Sequence, residues 1–264
     1  MRIAQLSDLH LTPDGAPLYG VIDTEAAFQA ALAALHRLHA EGVVLDLVLL
    51  TGDLANHGHP AAYQRLADGL STLPWPCAVL PGNHDDPSRL RACFPGQAWS
   101  GGELACATVD LAEGRILLLD TRLPGAEGGA LSAAHLAWLE RAADGRPALL
   151  AMHHPPFSVG MPAMDAIACA GGDRLAGWLG QHPEVAGLLC GHVHRSVFTA
   201  FAGRPAVVAP STAHQIAWQP QAAADQLAYV LEAGGFLVHD WQPPRPPVSH
   251  RLPLQSPPPV PYPD

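Results

Sequence analysis

The amino-acid sequence predicts an α/β fold, and three observations predict it. Short apolar runs, typical of buried strands, alternate along the chain with stretches that have helical spacing. Residues 43–50 are almost continuously apolar, as expected for a parallel strand that is buried on both faces. Five of the apolar runs end in Asp, Asn or His, so polar side chains are expected at one edge of a sheet.

The first half of the chain predicts a β-α-β pattern that continues into a third strand. Thr24 is expected to be the N-cap of the first helix, because apolar residues at helical spacing follow it until Gly42. Pro60 is expected in the first turn of the second helix. The predicted elements are a strand at residues 3–6, a helix at 24–42, a strand at 43–50, a helix at 60–70, a strand at 78–80 and a short helix at 86–94.

The second half predicts a hairpin, further alternating elements and a final group of strands. Glu113-Gly114 indicates the turn of the hairpin between residues 104–110 and 115–120. Residues 155–172 are not periodic and predict either a binding loop or an irregular connection. The other predicted elements are a helix at 132–141, a strand at 147–152, a helix at 173–179, a strand at 185–189, and a meander of strands at 197–202, 206–209, 227–231 and 236–241.

The length of 264 residues fits one large domain or two small ones. We predict one folded domain at residues 1–242, followed by a proline-rich tail at residues 243–264. The paired prolines of the tail cannot form a helix or a central strand, so extended backbone is expected there, either loose or lying on the surface.

Composition excludes several function classes. Hydrophobic residues make up 48% and charged residues 14% of the chain, which indicates a globular protein. The formal net charge of −10 leaves no basic footprint for an extended nucleic-acid surface. The chain contains no lysine, which excludes a Schiff-base mechanism and a P-loop. Arginine, histidine or metal would therefore have to neutralise a bound phosphate.

The five cysteines indicate the expected compartment. Their number is odd and they contain no C-x-x-C pair, so we expect reduced, mostly buried thiols in a cytoplasmic protein. The N-terminus enters a strand without the pattern of a signal peptide, and an apolar run of membrane-spanning length is not found.

Metal-ligand residue types follow five predicted strands. His192 and His194 are two residues apart, so on extended backbone their side chains point the same way. Side chains that follow parallel strands gather at one edge of a sheet, and the set gathered there is Asp8, His10, Asp53, Asn83, His153, His192 and His194. Seven such donors exceed the needs of one transition ion and suit two ions that share a carboxylate. The donor types suit Mn²⁺, Fe, Zn²⁺ or Co²⁺.

The ordered set of motifs resembles the calcineurin-like metallophosphoesterases. Their pattern of D-x-H, G-D, G-N-H-[DE], H and G-H-x-H occurs here in order, between Asp8 and His194. The resemblance implies a four-layer αββα sandwich, with two mixed sheets flanked by helices. It also implies hydrolysis of a phosphoester by in-line attack of a hydroxide that bridges two metal ions.

The resemblance assigns roles to the individual residues. One metal would be bound by Asp8, His10, Asp53 and His194, and the other by Asp53, Asn83, His153 and His192. His84 is similar to the non-ligand catalytic histidine of the family, and Asp85 would orient it. His154 is then expected behind the ligands, although the His153-His154 doublet by itself does not decide which histidine binds metal.

The stretches around His153, Asp165 and His214 look like the branch that contains class III cyclic nucleotide phosphodiesterases and glycerophosphodiesterases. Purple acid phosphatases carry a metal-binding Tyr where this chain has Asn56, so that branch is rejected. The candidate substrate contacts are Asn56, His57, His154, Asp165 and His214. Each rim candidate has a structural alternative: Asn56 as a cap, His57 as a solvated side chain, Asp165 as a tie within its loop and His214 as a packed polar residue.

The expected function is hydrolysis of small phosphodiesters, either 3′,5′-cyclic nucleotides or glycerophosphodiesters. One alternative is a phosphomonoesterase or nucleotidase that uses the same metal site. Another is a phosphate-binding module without turnover, although all seven ligands and His84 are present. Relatives in this branch often assemble into oligomers, so a homo-oligomer is a further expectation, and no membrane partner is expected.

Overall fold

Two β-sheets packed face to face form the centre of the fold in the computed structural model, which describes residues 1–257 and 260–262. Pro258, Pro259, Pro263 and Asp264 of the predicted tail lie outside the described residues. Within the described part of the chain, no helix has the length and apolar character needed to cross a membrane. The division at residue 242 stays a prediction.

The first sheet has five strands, with three parallel strands on one side and two antiparallel strands on the other. In spatial order they are β15 (Val248–Pro253), β14 (Gly235–Asp240), β1 (Arg2–Leu6), β2 (Leu47–Thr51) and β3 (Cys77–Leu80). The segment after Pro243 therefore contributes an edge strand, a position that proline tolerates.

The second sheet has six strands, of which the central four are parallel. In spatial order they are β10 (Val197–Phe201), β11 (Arg204–Val208), β9 (Val185–Cys190), β7 (Ala148–Met152), β5 (Arg115–Leu119) and β4 (Ala107–Asp110). Two short pairs complete the strands: β6 (Gly129–Ala130) with β8 (Cys169–Ala170), and β12 (Gln215–Ile216) with β13 (Tyr229–Val230).

In the part of the chain that the structure describes, six α-helices connect and cover the strands. They are α1 (Thr24–Ala40), α2 (Pro60–Leu70), α3 (Pro87–Cys93), α4 (Ala133–Ala142), α5 (Pro162–Asp165) and α6 (Gly172–Gln181). The side chain of Asp23, and not Thr24, caps α1 by accepting the backbone N–H of Ala26. Pro60 begins α2 as predicted.

The helices cover the outer faces of both sheets, which confirms the predicted mixed α/β sandwich. Phe28 and Tyr63 pack from α1 and α2 onto the first sheet. Leu139 and Leu175 pack from α4 and α6 onto the second sheet. Leu49 lies in a separate apolar layer between the two sheets. Burial of each such side chain contributes about 1.5–3 kcal/mol, so three packed layers hold the strand ends in fixed positions.

Several boundaries and one topology differ from the predictions. The apolar run at residues 43–50 forms a strand only from Leu47, where pairing with Ile3 begins, and Val44 is exposed. The predicted irregular segment at 155–172 contains α5 and β8. The predicted meander is wrong, because β10 and β11 join the second sheet and β14 joins the first. This topology depends on pairing between strands that are distant in the sequence, and the hydrophobic periodicity of a single segment does not encode such pairing. The five cysteines are free thiols, and three of them are buried, as predicted.

Candidate metal centre

The predicted metal ligands come together at the carboxyl ends of strands from both sheets. Asp8 and His10 follow β1, Asp53 follows β2, and Asn83 follows β3. His153 follows β7, and the pair His192 and His194 follows β9. Except for the partly buried Asn83, these side chains are buried. The two facing sheets thus contribute complementary halves of one polar cluster.

Four of the side chains form one compact donor group. Ligand atoms of Asp8, His10, Asp53 and His194 all lie within 4.8 Å of one another. The Nε2 atoms of His10 and His194 are 3.0 Å apart, and Asp8 Oδ1 is 3.4 Å from His194 Nε2. The Nδ1–H of His194 donates to the carbonyl of His214, at 3.2 Å. The Nε2 atom of His194 therefore carries a lone pair, and this group fits a cation.

A second donor group adjoins the first through Asp53. The Oδ2 atom of Asp53 lies 3.6 Å from His10 Nε2 and 3.4 Å from His153 Nε2. The Nδ1–H of His153 donates to the carbonyl of Thr51, at 2.7 Å, which leaves Nε2 free to bind a cation. One carboxylate thus lies between the two groups, as a shared ligand requires.

Two atoms of the second group lack the partner that a metal ion would supply. Asn83 Oδ1 and His153 Nε2 are buried and have no hydrogen-bond partner among the described residues. Leaving a buried acceptor without a partner costs about 1–3 kcal/mol, which a bound cation would offset. The Nε2–H of His192 donates to the carbonyl of Ile167, at 3.1 Å, so its Nδ1 atom carries the free lone pair.

His154 lies close to His153 and His192, yet both of its ring nitrogens already have hydrogen-bond partners. Its Nδ1 atom accepts the hydroxyl of Thr121 at 2.8 Å, and its Nε2–H donates to the carbonyl of Glu127 at 3.1 Å. The His154 side chain is fully buried and holds the loop that contains Glu127. This arrangement corrects the expectation of a substrate contact and agrees with a position behind the ligands.

The backbone around the cluster is unusual at the ligands themselves. Five of the predicted ligands have left-handed backbone angles: Asp8 (φ 54°), His10 (φ 50°), Asp53 (φ 52°), His192 (φ 72°) and His194 (φ 52°). Residues other than glycine rarely adopt this conformation, and such positions concentrate at functional sites. A Cβ atom on Gly82 would overlap the Asp53 carboxylate, so this close approach requires glycine.

Electrostatics at the cluster favour a cation. Burial alone would raise the pKa of Asp8, but the neighbouring His194 and His153 lower it to about 2. Burial would lower the pKa of His153, but the Asp53 and Asp8 carboxylates raise it to about 9, so a metal ion bound at Nε2 would take the place of a proton. The two buried carboxylates are thus ionised near neutral pH, and they attract positive charge to their shared neighbourhood.

Burial keeps His192 in the form that binds metal. Burial, with a smaller contribution from neighbouring His153, lowers the pKa of His192 to about 3. Its ring is therefore neutral near neutral pH and retains a lone pair.

Asp85 has a different role from the predicted one. Its carboxylate accepts the backbone N–H groups of Leu54, Ala55 and Gly82, and the hydroxyl of Tyr63, at distances of 2.9–3.2 Å. These contacts hold the segment after Asp53 against the loop of Asn83. The expectation that Asp85 orients His84 is corrected, because the carboxylate is directed to these donors.

A cavity of about 170 Å³ opens directly onto the donor groups. His84 and the predicted rim residue His214 line it, together with Asn83, Asp53 and His194. The His84 ring centroid lies 4.7 Å from that of His10. A wider groove of about 640 Å³ adjoins this cavity, and His84 lines both, so His84 stands where the two spaces meet.

The remaining rim candidates divide between the groove and structural roles. The exposed side chain of His57 lines the groove. Asp165 accepts the Ser158 hydroxyl and the Val159 N–H, each at 2.7 Å, so it ties down its own loop. Asn56 is buried at the start of a short 3₁₀ turn, and its N–H donates to the carbonyl of Leu11. Neither Asp165 nor Asn56 lines these two spaces, which favours the structural alternative for each, and their contact with a substrate stays a prediction.

One wall of the cavity is apolar and was not predicted. The side chains on that wall are Leu18, Tyr19, Met164, Ile167, Ile216 and Leu227. Tyr19 stacks on Tyr229, with ring centroids 6.1 Å apart, and so joins two segments that are far apart in the chain. Glu127 lines both the cavity and the groove. Met164 and Ile167 lie within residues 155–172, for which the sequence predicted either a binding loop or an irregular connection.

Comparisons with known proteins agree with this geometry. The family model described as calcineurin-like phosphoesterase matches residues 1–196. The chain is 33% identical to the glycerophosphodiester phosphodiesterase GpdQ of Enterobacter lignolyticus, over 82% of this chain and 79% of that protein. It is 34% identical to the 3′,5′-cyclic adenosine monophosphate phosphodiesterase CpdA of Escherichia coli, over 81% and 77%. Among solved structures, a dimetal phosphatase from Danio rerio has a similar fold, with a TM-score of 0.62 and 17% identity, over 90% of this chain and 95% of that one.

Proposed function

Because this chain belongs to the calcineurin-like phosphoesterase family, we propose that it is a two-metal phosphodiesterase. The proposed substrates are small phosphodiesters, either 3′,5′-cyclic nucleotides or glycerophosphodiesters. The observation that carries the proposal is the pair of buried donor groups that meet at Asp53. GpdQ and CpdA, which are named for these two kinds of diester, support both substrate classes.

The donor groups assign a set of residues to each metal ion. Asp8, His10, Asp53 and His194 would hold one ion, and the other would be held by Asp53, Asn83, His153 and His192. Mn²⁺, Fe²⁺ or Fe³⁺, Zn²⁺ and Co²⁺ all suit these oxygen and imidazole donors. When bound, the ions would supply Lewis-acid stabilisation of the phosphoryl oxygens and activation of water.

His84 is the proposed proton donor or oxyanion-stabilising group. Its backbone N–H donates to Asp53 Oδ1 at 2.9 Å, which fixes the loop beside the shared carboxylate. Its ring lies at the junction of the cavity and the groove, where a phosphoryl group and a departing alcohol would both be within reach. General acid catalysis of this kind contributes about 10²–10⁴-fold to rate.

The charges around the cavity favour diesters over monoesters. In the described part of the chain, no arginine lines the cavity or the groove, and the sequence has no lysine. A monoester dianion would need extra positive charge beyond the metals, whereas a diester carries only one negative charge. The carboxylate of Glu127, at the junction of the two spaces, would further disfavour a dianion.

Direct assay tests the proposed function. With added Mn²⁺, we expect turnover of 3′,5′-cyclic AMP or of a glycerophosphodiester, with loss of that turnover when a chelator is added. Preference for the cyclic nucleotide would assign the apolar wall to a nucleobase, and preference for the glycerol ester would assign the groove to a polar alcohol. Chelator-sensitive turnover of a phosphomonoester alone would contradict the proposal.

Replacing Glu127 by glutamine tests the charge argument with little change in shape. The ratio of kcat/KM for a monoester to kcat/KM for a diester is expected to rise several-fold in Glu127→Gln, because a repulsion felt most by the dianion is removed. Steady-state kinetics at low ionic strength measure the ratio, and added salt should reduce the difference. An unchanged ratio would show that Glu127 does not select between the two esters.

A further inference from the structure

A chain of hydrogen-bonded polar side chains, all but one of them fully buried, runs beneath the metal centre, in the otherwise apolar layer between the two sheets. Its members are Gln5 on β1, Thr51 on β2, His239 on β14 and Ser249 on β15. Gln5, Thr51 and His239 are fully buried. Buried polar groups at such a depth are costly unless every one of them is hydrogen-bonded.

Two backbone carbonyl groups fix the direction of the hydrogen bonds that link these side chains, because a carbonyl oxygen can only accept a hydrogen bond. Gln5 Nε2 lies 2.9 Å from the carbonyl of Cys190 and 3.0 Å from Thr51 Oγ1, so the amide nitrogen is directed towards them. The Thr51 hydroxyl in turn donates to the carbonyl of Leu6, at 3.3 Å. The Oε1 atom of Gln5 is then left facing His239.

The hydrogen-bond partners of His239 also determine which of its ring nitrogens carries the proton. His239 Nε2 lies 3.0 Å from Gln5 Oε1 and must carry the proton, because the oxygen can only accept. His239 Nδ1 is therefore an acceptor, and the hydroxyl of Ser249 donates to it at 2.8 Å. Burial lowers the pKa of His239 to about 3, so the ring is neutral near neutral pH. Each hydrogen bond runs in one direction, from Ser249 through His239 and Gln5 to Thr51.

Gln5 connects the three strands that carry most of the ligands. It lies on β1, which leads into Asp8. It bonds to Thr51, which ends β2 immediately before Gly52-Asp53, and to Cys190, which ends β9 immediately before Gly191-His192. The carbonyl of Thr51 also accepts the Nδ1–H of His153 at 2.7 Å. One side chain is thus hydrogen-bonded to strand ends from both sheets.

We propose that Gln5, oriented by His239 and Ser249, is a positioning residue that sets the relative placement of the two halves of the metal centre. The inference rests on the proposed metal centre. It also gives the C-terminal strand β15, which is remote from the ligands in sequence, an influence on metal binding. Loss of a group that supports metal ligands typically lowers metal affinity by about 10–100-fold.

The test compares Gln5→Met and Gln5→Glu with wild type in the full chain. Gln5→Met removes every polar contact, and Gln5→Glu keeps the shape but places an oxygen against the carbonyl of Cys190. We expect both variants to bind Mn²⁺ about 10–100-fold more weakly in calorimetric titration. We also expect the electron paramagnetic resonance signal of bound Mn²⁺ to change, and kcat to fall with little change in KM.

Ile3→Ala is the matched control, because Ile3 lies on the same face of β1, two residues farther from the metal centre, and is also fully buried. We expect this variant to lower the melting temperature but to bind Mn²⁺ as wild type does. If Gln5→Met behaves in the same way, the polar chain is only a structural support and the proposal is wrong.

Variants at His239 keep the proposal testable if the Gln5 variants do not fold. His239→Gln can donate to Gln5 and accept from Ser249, so it should keep most of the Mn²⁺ affinity that His239→Phe loses. Equal affinities in the two variants would overturn the proposal. Failure of the wild type to hydrolyse any diester, with the affinity differences intact, would count against the proposed function and not against the positioning role.

Discussion

Asn83→Ala is expected to bind one metal ion per chain in place of two and to lose at least about 10³-fold in turnover. The side-chain oxygen of Asn83 is buried and has no hydrogen-bond partner among the described residues, as a metal ligand requires. A metal ion acting as a Lewis acid contributes several kcal/mol to a transition state, and each 1.36 kcal/mol is a factor of ten in rate. Elemental analysis of the purified variant and steady-state kinetics measure the two effects.

Two further variants serve as controls for Asn83→Ala. Asn83→Asp keeps an oxygen donor at the same place and should bind two ions. Asp165→Asn changes a carboxylate that only ties down its own loop, so it should leave metal content and turnover near wild type. Two ions per chain and unchanged turnover in Asn83→Ala would remove Asn83 from the metal centre.

His84→Asn is expected to lower kcat by about 10²–10⁴-fold while metal content stays the same. The variant removes the ring at the junction of cavity and groove, but it keeps the backbone N–H that donates to Asp53. The loss should shrink for an ester with an acidic nitrophenol leaving group if His84 gives its proton to the departing alcohol. An equal loss for both leaving groups would assign His84 to the phosphoryl oxygens instead.

Normal turnover in His84→Asn would contradict a catalytic role for this histidine. A fall in metal content would show that its effect is indirect and passes through Asp53. Measuring metal content on the same samples as the kinetics separates these outcomes, because the predicted loss lies in kcat alone.

The ligands themselves were predictable from the sequence because they obey local rules. Asp8, Asp53 and Asn83 each follow a short apolar run, and parallel strands place their carboxyl ends at a common edge. His192 and His194 are two residues apart. The first prediction needs only strand direction, and the structure brings all of these side chains together. The extended backbone assumed for His192 and His194 is not found, because both residues lie beyond the end of β9 and have left-handed backbone angles.

The supporting residues were not predictable in the same way, because their partners are distant in the sequence. Asp85 is adjacent to His84 in the chain, yet its carboxylate contacts residues that are about thirty positions away. Asp165 resembled a rim residue, but its carboxylate accepts hydrogen bonds from Ser158 and Val159 and therefore points towards its own loop. The placement of β14 beside β1 likewise depends on packing between elements that no local pattern records.

The pairing of β1 with β14 has a consequence for how the protein is made. The strand that leads into Asp8 is synthesised well before its neighbour, which begins only at Gly235. Until that neighbour leaves the ribosome, one edge of β1 has no partner, and open edges of this kind invite pairing with other chains. The first sheet can therefore close only after β14 has been synthesised, although every proposed metal ligand precedes that strand in the chain.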